Sequence, residues 1–240
     1  MLLTYSELLG IDVRLFLVFA GSVATALVLG IAFHEFSHAF TAYMLGDPTA
    51  KLQGRVTLNP ICHLDPTGTA FLLLGGFGWG KPTPVNPYRL RNGPKTGRAM
   101  VAGAGPVSNI IMATVAAIPL RLGLVEWSSP FLVPRSVADW GLNEYLSLFL
   151  TAIIIFNIFL AVFNLLPLAP LDGFAVAVGL LPGDLSREVA KLEQYGPAIL
   201  MALILLPFVT QGEISILHQI MSPVINGLTE LIAGGGRAIG

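Results

Sequence analysis

The sequence predicts an all-α polytopic membrane protein: a bundle of about four to five transmembrane helices with a re-entrant cytoplasmic segment that can hold β-structure. Three observations carry this reading. Of 240 residues, 54% are hydrophobic and only 11% charged, whereas soluble domains run about 45–50% apolar and about 25% charged. Mean hydropathy is +0.76, more apolar surface than one core absorbs, so the solvent must be lipid. The apolar residues also fall into long uncharged runs, and a helix needs about 20 such residues to cross roughly 30 Å of hydrocarbon. This balance excludes an ordinary cytosolic enzyme and a disordered chain. A net charge of −1 offers no basic field to a polyanion, so nucleic acid is not an expected partner. The single cysteine, Cys62, excludes a disulfide framework and a four-thiolate metal site.

The runs long enough to span are 15–33, 99–120, 145–171 and the stretch between Glu193 and Glu213. Two shorter runs stay open. Residues 66–80 are too short and glycine-rich to cross, which suits a re-entrant or interfacial hairpin. Residues 214–229 carry His218 and Pro223, which suits an interfacial or a late spanning helix. The first run is not a signal peptide, because Glu7 and Asp12 make its leading segment acidic. One domain is expected over 1–240: a core over about 13–180, a cytoplasmic segment at 47–97 and C-terminal helices at 195–232. A Gly234-Gly235-Gly236 tail follows.

Lysine and arginine set the orientation. Lys51, Arg55, Lys81, Arg89, Arg91, Lys95 and Arg98 lie between the first two spans, against Asp47 and Asp65. The next connection carries Arg121 and Arg135 against Glu126, Asp139 and Glu144. The basic segment is therefore expected in the cytoplasm, with the N-terminus outside and the protein multi-pass in the cell membrane.

The first helix does not stop at Phe33. It runs on through His34-Glu35-Phe36-Ser37-His38 toward Gly46, a natural helix end before the Asp47-Pro48 turn. His34 lies 20 residues beyond Arg14, roughly 30 Å of rise, which puts it just inside the cytoplasmic boundary. Ionisable side chains there cost up to about 2.5–3.5 kcal/mol each unless something compensates. A bound metal compensates. His34 and His38, four residues apart, project from one helical face, and two neutral imidazoles suit tetrahedral Zn²⁺. Glu35 sits about 100° around the helix, out of the ligand set but placed for general-base work. This is the HExxH arrangement. Two satisfied helix histidines beside a surface glutamate are the bland alternative, and lipid makes them expensive.

A zinc enzyme needs a third protein ligand and leaves one position open. The candidates are Asp47, Cys62, His63, Asp65, Asp172, Asp184 and His218. Topology favours Asp172, because the chain leaves after His38, returns through 99–120 and comes back through 145–171. Pro167 and Pro170 break the helix just before it, and broken backbone at membrane depth is tolerated only in a protein interior or a wet cavity. The alternative reading of Asp172 is a helix cap.

These motifs resemble the site-2 proteases, intramembrane zinc metalloproteases. The likeness rests on His34-Glu35-Phe36-Ser37-His38 and on Asn164-Leu165-Leu166-Pro167-Leu168-Ala169-Pro170-Leu171-Asp172-Gly173. Ala104-Gly105-Pro106-Val107-Ser108-Asn109 and Gly78-Trp79-Gly80-Lys81-Pro82-Thr83-Pro84-Val85-Asn86-Pro87 extend it, the last similar to the compact bacterial and archaeal members. The resemblance implies His34, His38 and Asp172 as ligands of one Zn²⁺ and Glu35 as catalytic base. It also implies that Asn164 helps hold the substrate carbonyl or its oxyanion. The expected substrate is a transmembrane segment of another protein, and no PDZ-like insertion or nucleotide-binding tail is apparent.

The supporting residues carry two readings each. His63 suits a stabilised turn better than substrate steering. Trp79 suits a headgroup anchor, and its loop equally suits a strand edge that holds an extended peptide. Asn109, among Gly103, Gly105 and Ser108, reads best as a plain interhelical hydrogen bond. Two other functions compete with proteolysis. A metal transporter would not need Glu35 and would spread polar groups across the membrane, whereas the ionisable groups here cluster at one side. A catalytically inactive binding protein would not need Glu35 and Asp172 intact.

Overall fold

The computed structural model describes residue 10 and residues 13–75, 78–131 and 139–234. Glu7, Asp12, Gly76, Phe77, Arg135, Gly235 and Gly236, which figure in the sequence reading, lie outside them. The described residues form nine α-helices: α1 Val13–Met44, α2 Thr49–Leu52, α3 Pro66–Gly75, α4 Pro94–Arg121, α5 Leu142–Asn164, α6 Asp172–Leu180, α7 Gly183–Ala190, α8 Gly196–Val209 and α9 Ile216–Ala233. Among the described residues there is no strand. Among the described residues the 47–97 segment holds one antiparallel bridge, Leu64 with Gly80, in place of the strand edge the loop had suggested.

Among the described residues four stretches are long and apolar enough to cross a membrane: α1, α4, α5 and Gly183–Val209. The protein is a multi-pass membrane protein. Helices α1, α4 and α5 pack on one another as its centre, α6 lies on α4, and α9 lies on α5 and α4. Small residues let the axes approach closely. Ala26, Ala113, Ala117 and Ala152 are fully or almost fully buried beside Ile154 and Ile158. Nearer the chain start, Leu15, Phe19 and Val23 pack against Leu148. Gly30 lets α1 lie close to α5, since a Cβ there would lie 2.8 Å from Leu160 Cδ1.

The ends of the elements follow local chemistry. Gly46, at φ +103°, stops α1 in a left-handed conformation that glycine adopts freely. The apolar run 145–171 is not one helix: α5 ends at Asn164, and residues 165–171 form turns because the two prolines cannot continue it. Helix α9 buries Met221, Ile225 and Thr229 against the bundle. Arg121 at the end of α4 donates to the Leu231 and Ile232 carbonyls at its C-terminus. So 214–229 belongs to the bundle rather than to its surface.

The described parts of the 66–80 run, 66–75 and 78–80, lie against each other, as the expected hairpin requires. Helix α3 has 10 residues, roughly 15 Å of rise, too short to cross. The return leg comes back over Gly68, whose Cβ would lie 2.1 Å from the Trp79 carbonyl oxygen. The loop that follows is fixed at both ends. Arg55, buried, donates to the carbonyls of Cys62, Lys81 and Pro82, and the His63 carbonyl accepts from Lys81 N–H at 2.7 Å. At the far end Asp47 accepts from Asn86 N–H at 2.6 Å and from the Thr49 hydroxyl and N–H. Burial pushes the Asp47 carboxyl up, but these hydrogen bonds and nearby Arg89 outweigh it and hold the pKa below the ordinary range. A depressed folded-state pKa stabilises above the unfolded value and is lost as pH falls, so this staple is intact at neutral pH.

Candidate metal centre

His34 and His38 stand one turn apart on α1, their rings edge to face with centroids 4.6 Å apart. Each Nδ1 is tied to a neighbouring helix. His34 Nδ1 lies 2.6 Å from Asn109 Oδ1, and His38 Nδ1 lies 2.7 Å from the Val101 carbonyl, both on α4. A carbonyl only accepts, so Nδ1 carries the hydrogen in His38. The same holds for His34, because Asn109 spends its amide hydrogens on the Gly30 carbonyl at 3.1 Å and on Asn157 Oδ1 at 2.7 Å. Asn157 in turn donates to the Ile153 carbonyl at 2.9 Å. The chain of donors closes on backbone acceptors, and in the neutral imidazoles each Nε2 presents its lone pair. Fixing a histidine through its other ring nitrogen is how metal-binding imidazoles are oriented.

Asp172 meets those lone pairs. It opens α6, and Gly173 after it lies so close to the end of α5 that a Cβ would sit 2.2 Å from the Leu165 carbonyl oxygen. That contact sets the carboxylate at the depth of α1's histidines. Asp172 Oδ2 is 3.0 Å from His34 Nε2 and 3.2 Å from His38 Nε2. It is buried, and among the described residues it has no hydrogen-bond partner apart from these two ring nitrogens. With both imidazoles neutral, three lone pairs converge here, and a shared cation would resolve their repulsion. Tetrahedral zinc with ligands at about 2.0–2.2 Å sets its ligand atoms roughly 3.3 Å apart, close to the separations seen. Among the described residues this is the one group of three such side chains with ligand atoms mutually within 4.8 Å. The donor set fits zinc.

Gly105 on α4 faces this cluster. A Cβ there would lie 2.5 Å from His38 Nε2 and 2.6 Å from both Nε2 and Cε1 of His34. The absent side chain lets α4 come up against both imidazole rings.

The other candidates are placed elsewhere. Cys62 holds Arg55 through its carbonyl. His63 is fully buried with Nε2 2.7 Å from the Thr57 carbonyl, in the turn. Asp65 accepts from Gly68 N–H at 2.8 Å at the start of α3, and Asp47 staples the loop. Asp184 pairs with Arg187 on the surface, and His218 is exposed on α9.

A cavity of about 610 Å³ opens beside the cluster, and Glu35, Thr83, Trp79 and Asn164 line it with the two histidines and Asp172. Glu35 Oε2 accepts from the Thr83 hydroxyl at 2.8 Å. Asn164 Nδ2 donates to the Leu160 carbonyl at 2.9 Å; that uses one of its two amide hydrogens. The far wall is α8, through Pro197, Leu200, Met201 and Ile204. Trp79 stacks on Phe71 with centroids 5.6 Å apart, part of the cavity mouth as well as of the hairpin.

Sequence reasoning missed three of these parts. Asn109 does bond between helices, as expected, and it also orients His34. Asn157 had a signal, a lone amide in an otherwise apolar run, that went unused. The contacts of Gly105 and Thr83 depend on helix packing and had no local signal.

Fold and site together define a polytopic helical membrane protein with a His-His-Asp cluster buried at one end of its bundle. The comparisons agree with that class. The chain is 40% identical over 181 residues, 75% of its length, to a Bacillus subtilis (strain 168) protein named "Putative zinc metalloprotease YwhC", and covers 78% of that protein. It is 28% identical over 219 residues to "Putative zinc metalloprotease Rip2" of Mycolicibacterium smegmatis, covering 88% of this chain and 76% of the relative. The Rip2 protein of Mycobacterium tuberculosis (strain H37Rv) is 26% identical over the same span. No family model matches the chain, and no solved structure shows significant similarity to it. The chain belongs to the site-2 protease family.

Proposed function

We propose that the protein is an intramembrane zinc endopeptidase that hydrolyses peptide bonds within or next to transmembrane segments of other membrane proteins. The observation that carries this is the convergence of His34 Nε2, His38 Nε2 and Asp172 Oδ2 beside a cavity lined by Glu35. His34, His38 and Asp172 hold one zinc per chain. Zinc so held supplies Lewis acidity, polarising the scissile carbonyl and making water acidic enough to lose a proton near neutral pH.

The chain's own residues supply the rest. Glu35 accepts the proton of the attacking water on its carboxylate and returns it to the departing amide nitrogen. Asn164, with an amide hydrogen beyond the one given to Leu160, donates to the carbonyl oxygen as negative charge builds there. The Asn109 and Val101 acceptors keep the imidazoles aimed throughout. A peptide must be extended to present its carbonyl, so the substrate helix unwinds locally as it enters the cavity.

One domain carries this activity over 1–240, in the cell membrane. The basic segment around 47–97 faces the cytoplasm with the site near that side and the N-terminus outside. A reporter fused after Lys95 should be cytoplasmic and one near Trp127 external; the reverse result would put the site at the outer face. The function itself is tested with purified protein in lipid vesicles and a membrane-embedded test substrate. Cleavage should stop on chelation and return on adding one equivalent of zinc. Cleavage that persists in metal-free protein would contradict the reading.

A further inference from the structure

The geometry points to Thr83 as a positioning residue for the general base, a role that rests on the protease reading above. Its hydroxyl is 2.8 Å from Glu35 Oε2 and 3.1 Å from the Glu35 carbonyl oxygen. A hydroxyl has one proton to give, and the carboxylate is the stronger acceptor. Thr83 therefore donates to Oε2 and fixes the plane of the carboxylate. Oε1, which no group among the described residues engages, is the oxygen left to take the water proton.

Thr83 is well held for this purpose. It stands midway along a loop fixed by Arg55 and the His63 carbonyl at residues 81–82 and by Asp47 at Asn86. Pro82 and Pro84 flank it, and each fixes its own φ. Gly80 at the loop's start lies against α1, where a Cβ would be 2.9 Å from Ile31 Cγ2. The loop thus has little freedom to carry the hydroxyl away from Glu35. A glutamate on a smooth helix face has three rotatable bonds and no other anchor here, so the distance from base to water depends on this one bond.

The same contact links the hairpin to the chemistry. Trp79 and Gly80 line the cavity a few residues before Thr83, so a peptide that settles against the loop meets the segment that aims the base.

The test compares Thr83→Val, which keeps the shape and removes the hydroxyl, with Thr83→Ser, which keeps the hydroxyl, in vesicles with zinc content measured on each sample. Loss of the anchor should lower kcat of Thr83→Val about 10- to 100-fold, the size of effect that misplacing a catalytic group produces. KM and zinc content should stay within about twofold of wild type, and Thr83→Ser should restore kcat to within about threefold. A Thr83→Val kcat equal to wild type overturns the proposal. So does a loss that Thr83→Ser shares, or one that appears as a raised KM or lost zinc, because each would make Thr83 a loop-packing residue. A wild-type protein without zinc-dependent cleavage overturns the protease reading itself, an outcome separate from either.

Discussion

Glu35→Gln should keep zinc bound and lose cleavage by at least about a thousandfold, within the range general acid–base catalysis supplies. The two halves of that result have separate causes. Zinc stays because Glu35 is outside the cluster, whose ligand atoms come from His34, His38 and Asp172, and because the Asn109 and Val101 bonds that orient the imidazoles are untouched. The site also keeps its shape, since the glutamine carbonyl oxygen can still accept from the Thr83 hydroxyl that now bonds Oε2. Cleavage goes because an amide has no basic oxygen to take a proton from water and none to return to the leaving nitrogen. Zinc content by mass spectrometry and turnover of the membrane-embedded substrate, measured on one preparation, read both halves. Normal turnover in this variant would end the metalloprotease account.

The fold was legible in the sequence because lipid leaves few solutions. Uncharged runs of spanning length must be helices, so α1, α4 and α5 could be read directly, and Gly46 marked the end of α1. Histidines four residues apart share a face on any helix, so His34 and His38 were readable locally. Asp172 was readable because reversing the chain twice returns it to the same end of the bundle, and the prolines before it announced a break. What was hidden depends on the rotation of one helix about its axis relative to another. Gly105 faces the histidines, Asn157 faces Asn109, and Thr83 reaches Glu35 only because α4 and α5 are turned as they are and the loop is stapled by Arg55 and Asp47. No periodicity encodes those rotations. The strand edge failed for a related reason: a loop rich in glycine and proline was equally compatible with a strand or an irregular return, and Arg55 holds it as the latter, with a single bridge at Leu64 and Gly80.

The second large effect concerns the zinc-holding set. In Gly105→Ala a methyl carbon would stand 2.5 Å from His38 Nε2 and 2.6 Å from His34 Nε2, in hard overlap with both rings. Helix α4 cannot withdraw easily, since Ala102, Gly105, Pro106 and Asn109 on it are buried and Asn109 is bonded to both α1 and α5. The methyl therefore pushes both imidazoles out of place while leaving all three ligands present. Asp172→Ala acts by the opposite route: it removes the anionic ligand and leaves two neutral imidazoles, which hold zinc far less tightly.

Zinc per chain, measured in wild type, Asp172→Ala, Gly105→Ala and Cys62→Ala purified side by side, tests the central claim most directly. The account predicts one zinc in wild type and in Cys62→Ala, whose thiol lies outside the cluster. It predicts at most about a tenth of that in the other two, the scale of loss expected when a metal site's ligands or their immediate supports are removed. Stoichiometric zinc in Asp172→Ala, or its loss in Cys62→Ala, would contradict the site.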